Sequence, residues 1–222
     1  MSYSFVSINR YLFCLLAFFH FAITISAQSF NEVIKLTTTQ REDDDGMGTS
    51  VAIAGDYAIV GIPGEDDAPS GPDLSNAGSA IIYERDANGN WQEVQVLTAS
   101  DREANDEFGY SVAIAGNYAI VGAPQEDEDA NGNNSLSNSG SAYVFERNGN
   151  GSWSQVEKIV SNGRFAEDEF GFSVAIASDG VAVVGAPGAN DTPSGISDNG
   201  AVYVFLRNGS GNWNFSQELT AF

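Results

Sequence analysis

The stretch GYSVAIAGNYAIVGAP, Gly109–Pro124, is written twice more in the same chain, as GTSVAIAGDYAIVGIP over Gly48–Pro63 and as GFSVAIASDGVAVVGAP over Gly171–Pro187. Aligned on the aromatic residue that opens each unit (Phe30, Trp91, Trp153, Trp213), the copies recur every 60 to 62 residues. A fixed period of this size marks a repeat architecture. One unit cannot bury its own apolar surface and must stack on copies of itself.

Each unit holds four short runs rich in Val, Ile, Tyr and Phe, separated by Gly, Asn, Asp and Pro, and none shows a helical period. The chain is therefore expected to be all-β. Gly55-Asp56 and Gly116-Asn117 are the residues of two-residue hairpin turns, which need positive φ; the third unit is one residue longer there, at Ser178-Asp179-Gly180. The runs Ser141–Phe145 and Ala201–Phe205 are apolar at nearly every position, the pattern of a strand covered on both faces. Stacked blades give that coverage and also manage the edge-strand problem. The expectation is a partial β-propeller of four-stranded antiparallel blades, at about 38–97, 98–159 and 160–221, preceded by an extra strand at 32–37.

Phe108-Gly109 and Phe170-Gly171, taken with Gly122-Ala123-Pro124 and Gly185-Ala186-Pro187, resemble the FG-GAP repeats of the integrin α-chain β-propeller, most closely its bacterial secreted version. The first unit is degenerate, with Met47-Gly48 and Gly61-Ile62-Pro63. The resemblance covers essentially the whole chain after the leader. It implies a closed ring of more blades than are present here and a role in binding or adhesion rather than chemistry. Three blades fall short of the roughly four to eight that close a ring, so either a longer protein or an association of partial propellers is expected. The calcium loops such repeats often carry between their first two strands are not matched, because only the tight turns around Asp56, Asn117 and Asp179 stand there.

Residues 1–27 carry one positive charge, Arg10, then an apolar run from Tyr11 to Ile25 and a small-residue end, which reads as a secretory signal peptide. Its removal takes Cys14 and His20, the only cysteine and the only histidine. Disulfides, Cys/His zinc sites and nucleophiles that need a histidine base are then excluded in residues 28–222. Eight basic residues face 30 acidic ones in that part, a net −22. Such a surface repels nucleic acid and anionic membranes and favours cations or basic partners.

The acids gather on the loops that alternating strand directions bring to one end of every blade, namely the 2–3 connection and the 4–1 connection. Asp66, Asp67, Asp106, Glu107, Glu126, Glu128, Asp168 and Glu169 are the candidate ligand face, at the end that binds ligand in the integrin relatives. Asp127, Asp129 and Asn131, at alternate positions before Gly132, match the first half of a calcium loop. Position twelve is Asn138, which has no bidentate carboxylate to give. Calcium is thus the one cofactor indicated, and no catalytic residue is. Ser50, Ser111 and Ser173 recur in every unit without a histidine and read as structural, and Trp91, Trp153 and Trp213 read as seals between blades. Catalysis by these repeats would need a buried carboxylate pair unique to one blade, and no such departure is legible.

The expected function is a secreted, non-catalytic binding or adhesion module with an acidic ligand face. Its partner would be an extracellular protein or glycan, with no nucleic acid and no membrane insertion after leader cleavage. Further blades or self-association would cover its ends. The alternative is an accessory propeller fragment of a larger secreted hydrolase or lyase.

Overall fold

Strands form where the Val, Ile, Tyr and Phe runs stand, and glycine sets the turns between them. The computed structural model describes residues 35, 36, 38, 43–67, 69, 72–133, 135–189 and 200–220. Leu36–Phe222 forms one unit, and of the other, Met1–Lys35, only Lys35 is described. The expected leader lies outside the described residues, and in the expected strand at 32–37 only Lys35 and Leu36 are described, neither in a strand.

The first sheet comprises β1 (Ser50–Ala54), β2 (Tyr57–Ile62), β3 (Ser79–Arg85) and β4 (Trp91–Leu97). The second comprises β5 (Ser111–Ala115), β6 (Tyr118–Ala123), β7 (Ser141–Arg147) and β8 (Trp153–Ile159). The third comprises β9 (Ser173–Ile176), β10 (Val181–Ala186), β11 (Ala201–Arg207) and β12 (Trp213–Thr220). Each set of four pairs antiparallel in chain order. The protein is all-β, three blades of a partial β-propeller. The hairpin turns carry positive φ only on their glycines, Gly55 (61°) and Gly116 (60°), and not on Asp56 or Asn117. That is the type II′ pattern rather than I′. Every blade bears a register shift at the same place in its outer pair, after Ile82, Val144 and Val204. A bulge repeated at one position bends each outer strand alike.

Between the blades lie two apolar layers. Ile59, Ile82, Phe108, Val112, Tyr143, Phe145 and Trp153 fill the first, and Ile120, Val144, Phe170, Val184, Tyr203, Phe205 and Trp213 the second. Two of the three tryptophans do seal blade to blade, Trp153 meeting Tyr57 edge-on at 6.1 Å and Trp213 meeting Tyr118 at 5.6 Å, whereas Trp91 packs beside the core of its own blade. β7 and β11 have nearly the same sequence but different burial. The first five residues of β7 are all buried, whereas β11 alternates, with Val202 and Leu206 exposed. Coverage of both faces, expected for Ala201–Phe205, thus fails among the described residues because the far face of the third blade has no described neighbour.

The joint between blades is made by backbone. Phe108 enters the first blade, bridging Gly78 in parallel and donating its N–H to Ala77 O at 3.1 Å. The carbonyl of Gly109 then accepts from Ser50 Oγ at 2.8 Å, over Gly61, where an added Cβ would lie 1.9 Å from that oxygen. The second joint repeats the first. Phe170 bridges Gly140, Gly171 O accepts from Ser111 Oγ at 2.7 Å, and a Cβ on Gly122 would lie 1.9 Å from Gly171 O. Ser50 and Ser111 are therefore structural donors, which accounts for their repetition. Because the nearest obstacle is the backbone carbonyl of Gly171, with Ser111 Oγ beside it, Gly122→Ala should cost on the order of 3 kcal/mol or more, read as a lowered midpoint in denaturant unfolding. Gly149→Ala, with open space around it, should be close to neutral, and equal effects of the two would refute this account of the joint.

Candidate functional site

The 2–3 loops of the first and second blades each meet the 4–1 loop that follows. Asn105 N–H donates to Ser75 O and Glu167 N–H to Ser137 O, both at 2.8 Å, with Asn138 Nδ2 on Glu167 Oε2 at 3.0 Å. The acidic loops are thus brought to one end of the blades. The acids on them divide into two groups. Asp43, Asp44, Asp73, Glu103 and Glu167 are exposed, and Asp66, Asp67, Glu107, Asp127, Glu128, Asp129 and Glu169 are half-buried. Asp45, Glu65, Asp106, Glu126 and Asp168 are buried. Three of the eight candidate face residues, Asp106, Glu126 and Asp168, therefore point into the protein. Glu42, Asp191 and Asp198 lie outside the described residues.

The buried aspartates fold the turn that precedes each Phe-Gly. Asp106 Oδ2 accepts the N–H of Glu103 at 2.6 Å, and Asp168 Oδ2 accepts that of Phe165 at 2.8 Å. Glu107 and Glu169, next in the chain, take φ of 55° and 53° to turn the aromatic inward. Arg102 and Arg164 cap the preceding blade's loop. The Arg102 guanidinium donates to the carbonyls of Glu65, Asp66 and Asp67, and that of Arg164 to Asp127 O and Ser139 Oγ. These cations, which sit at the acidic end, bond to the backbone of the preceding blade's loop, and their charges also favour the ionised form of the buried Glu65 and Asp168.

One blade carries a charged core. Lys158 Nζ lies 2.8 Å from Asp101 Oδ2 and 3.1 Å from Glu126 Oε1, while Tyr143 OH donates to Glu126 Oε2 at 2.7 Å and Glu128 N–H to Glu126 Oε1 at 2.9 Å. Glu126 has no exposed surface, and the Lys158 side chain is 5% exposed. Removing one partner of such a pair costs about 3–5 kcal/mol, because the other charge stays buried and alone. Burial pushes the Glu126 carboxyl up, but the bonds from Glu128, the Lys158 charge and the Tyr143 hydroxyl outweigh it and hold the group below the ordinary range. Glu128, hydrogen-bonded to Glu126 and partly desolvated beside its charge, is pushed up to about 7. A buried carboxylate with an acidic partner does exist, then, contrary to the expectation that none stands in any one blade. Its counterpart in the first blade is Glu65, which takes the N–H of Asp67 at 3.1 Å. Lys158 was the missed signal, since it stands where the other units have Val96 and Glu218 on the strand position facing Ile81, Tyr143 and Tyr203.

The calcium candidates lie on one loop. Asp127 Oδ1 accepts Asn138 N–H at 2.8 Å, and Asp129 Oδ1 accepts those of Asn131 and Asn133 at 2.8 and 3.1 Å. Among the described residues no group of three or more Asp, Glu, His or Cys is gathered as a metal site. The three residues as they stand fall short of the six to eight oxygens calcium takes.

Asp106 is pushed up to about 7 by burial and by the Glu126 charge, against the Glu103 N–H. An acid whose folded pKa is raised adds stability that is complete below its unfolded value near 4 and lost as pH rises through about 7. Asp106 and Glu128 share this sign, and Glu126 has the opposite one, its contribution being lost only on stronger acidification. The melting temperature should accordingly be higher near pH 5.5 than near pH 8. Asp106→Asn, which keeps the acceptor for Glu103 N–H, should flatten that slope, and a slope unchanged in the variant would contradict the assignment.

The family model of the FG-GAP repeat matches the chain three times, over residues 30–83, 91–145 and 153–205. No curated protein matches the chain. Among solved structures, the periplasmic gluconolactonase PpgL of Pseudomonas aeruginosa is similar at 14% identity and a TM-score of 0.39; the match covers 77% of this chain and spans 56% of that one. Three matched repeats, which together cover most of the chain and each take in the first three strands of one blade with its Phe-Gly (Met-Gly in the first) and Gly-x-Pro turns, establish that the chain belongs to the FG-GAP repeat family.

Proposed function

We propose that the protein is a secreted, non-catalytic binding module whose acidic loop end engages a basic or cation-bridged extracellular protein or glycan. The observation that carries this is the concentration at one end of exposed carboxylates, Asp43, Asp73, Glu103 and Glu167 among them, whose neighbouring arginines are already engaged with backbone carbonyls. A rigid array of loops with an uncompensated negative field steers and holds cationic surfaces. Catalysis finds no support at Glu126, the enclosed carboxylate paired with Lys158. It is wholly buried and bonded to Lys158, Tyr143 and Glu128, so it has no surface to offer a substrate.

The opposite end supports the same division of labour. Its short turns carry Arg85, Arg147 and Arg207, which pair with Asp56, Asn117 and Glu146 or lie over Trp91, Tyr57 and Tyr118. These cations are tied up within the blades. Arg85 and Asp56 are themselves exposed there, so it is the concentration of carboxylates that distinguishes the acidic end.

Calcium has a secondary part in this proposal, at Asp127, Asp129 and Asn131, where a site completed by water would be weak. At an affinity of about 10⁻³ M and an equal calcium concentration, the stabilisation is only about 0.4 kcal/mol. The experiment is a screen of purified protein against extracellular matrix proteins and glycans, with and without calcium, at low salt and at about 0.5 M salt. Binding should weaken steeply with salt and be lost in Asp43→Lys/Asp73→Lys/Glu103→Lys, with the melting temperature little changed. Calcium should raise the melting temperature slightly in the wild type and not in Asp129→Ala. Binding indifferent to both salt and charge reversal would overturn the acidic-face assignment.

A further inference from the structure

The third blade ends in an open cleft of about 470 Å³, lined among others by Phe172, Ser173, Gly185, Gly200, Val202 and Leu219. In the repeat, Ser173 stands where Ser50 and Ser111 stand, Gly185 where Gly61 and Gly122 stand, and Gly200 where Gly78 and Gly140 stand. Those six residues are the seats that receive Phe108-Gly109 and Phe170-Gly171. The cleft therefore has the residues of a seat. Among the described residues no other segment enters it: a Cβ on Gly185 would meet only Ser173 of its own blade, and one on Gly200 only Pro187 and Ala186. Its rim is apolar and open, with Phe172, Val202 and Leu219 at 40%, 36% and 46% exposure.

The other end of the array holds the matching turn. Gly48 has φ 92°, against 98° at Gly109 and 96° at Gly171. It donates its N–H to Gly61 O at 3.0 Å, as Gly109 and Gly171 donate to Gly122 O and Gly185 O at 3.1 Å. A Cβ on Gly109 or Gly171 would lie 2.2 Å from Ser79 O or Ser141 O of the preceding blade, whereas one on Gly48 would meet nothing within 4 Å among the described residues. The turn is formed and exposed. Methionine replaces phenylalanine in it without changing what the seat recognises. Phe108 and Phe170 pack on aromatics of their own blades, Met47 packs likewise beside Ile81 and Tyr83, and the seat reads backbone oxygen.

We propose that this cleft seats the Met47-Gly48 turn of a second copy of the chain, joining copies head to tail. A contact between unlike ends closes into a ring when the rotation allows and otherwise extends as a filament. Two copies would bring six blades together, within the range in which rings close. The proposal does not depend on the acidic-face function, and salt separates the two. Copies that share a large negative charge repel, so screening strengthens an apolar, backbone-mediated contact between them while weakening capture of a basic ligand.

The test is size-exclusion chromatography with light scattering on protein expressed from the whole 222-residue sequence, over a range of concentrations and salt. The wild type should show a mass of two or more copies, and the larger species should grow with salt. Leu219→Asp spoils the cleft rim. Gly48→Asn introduces the residue type that best tolerates a left-handed backbone, with some strain at φ 92°, and places a Cβ where the seat has a carbonyl. Each variant alone should be monomeric with a cooperative melt, and the two mixed should form a dimer and stop there, through the intact turn of one and the intact cleft of the other. A wild type that stays monomeric at every concentration would overturn the proposal, as would variants that associate like the wild type or a mixture that does not pair.

Discussion

The carbonyl of the Phe-Gly turn occupies the space where a side chain of the neighbouring blade would otherwise stand. Gly109 O over Gly61 and Gly171 O over Gly122 leave no room for a methyl group, and the serine one strand away supplies the hydrogen bond that fixes the oxygen. The two halves of the repeated motif are thus two halves of one contact. The Phe-Gly of one blade is the part inserted, and the glycine of Gly-x-Pro in the previous blade is the floor beneath it. Backbone against backbone sets blade spacing more strictly than apolar packing alone, since side chains can repack and a carbonyl against Cα cannot. The layers built on Phe108 and Phe170 follow from that spacing.

The same insertion explains why so acidic a chain keeps carboxylates in its interior. Turning the aromatic inward needs an aspartate to hold the preceding N–H, so Asp106 and Asp168 are drawn in with the turn. In the middle blade Asp106 comes near Glu126, and there the fold carries its single buried lysine, bonded to Glu126 and Asp101. The acidity of the loop end is therefore of two kinds: an exposed field and an internal scaffold that supports it. Only the exposed part is available to a partner.

Much of this was legible. The period, the strand runs and the repeated landmarks specified the blades, because a pattern written three times averages out the noise of any single segment. The Trp seals and the structural serines followed from their repetition. What escaped was whatever differs between units or depends on a neighbour. Ala201–Phe205 reads like Ser141–Phe145 yet is half open, since burial belongs to the adjacent blade and not to the strand. Asp106, Glu126 and Asp168 read as surface by charge, but hydrogen bonds to N–H groups and to Lys158 draw them inside. Lys158 stands at a position that differs in every unit, against Val96 and Glu218, and only Asp101 and Glu126 beside it in space reveal why a lysine is there.

Amide hydrogen exchange at Phe108 and Phe170 tests the joint most directly. Their N–H groups donate to Ala77 O and Ser139 O across the blade boundary, from what would otherwise be loop residues. If the joint holds the blades as one cooperative unit, these two amides should exchange as slowly as the central strand amides of β6, through global unfolding alone. Exchange at the faster rates of the surrounding loop, with the strand amides still protected, would show blades that fold without the joint and would contradict the account.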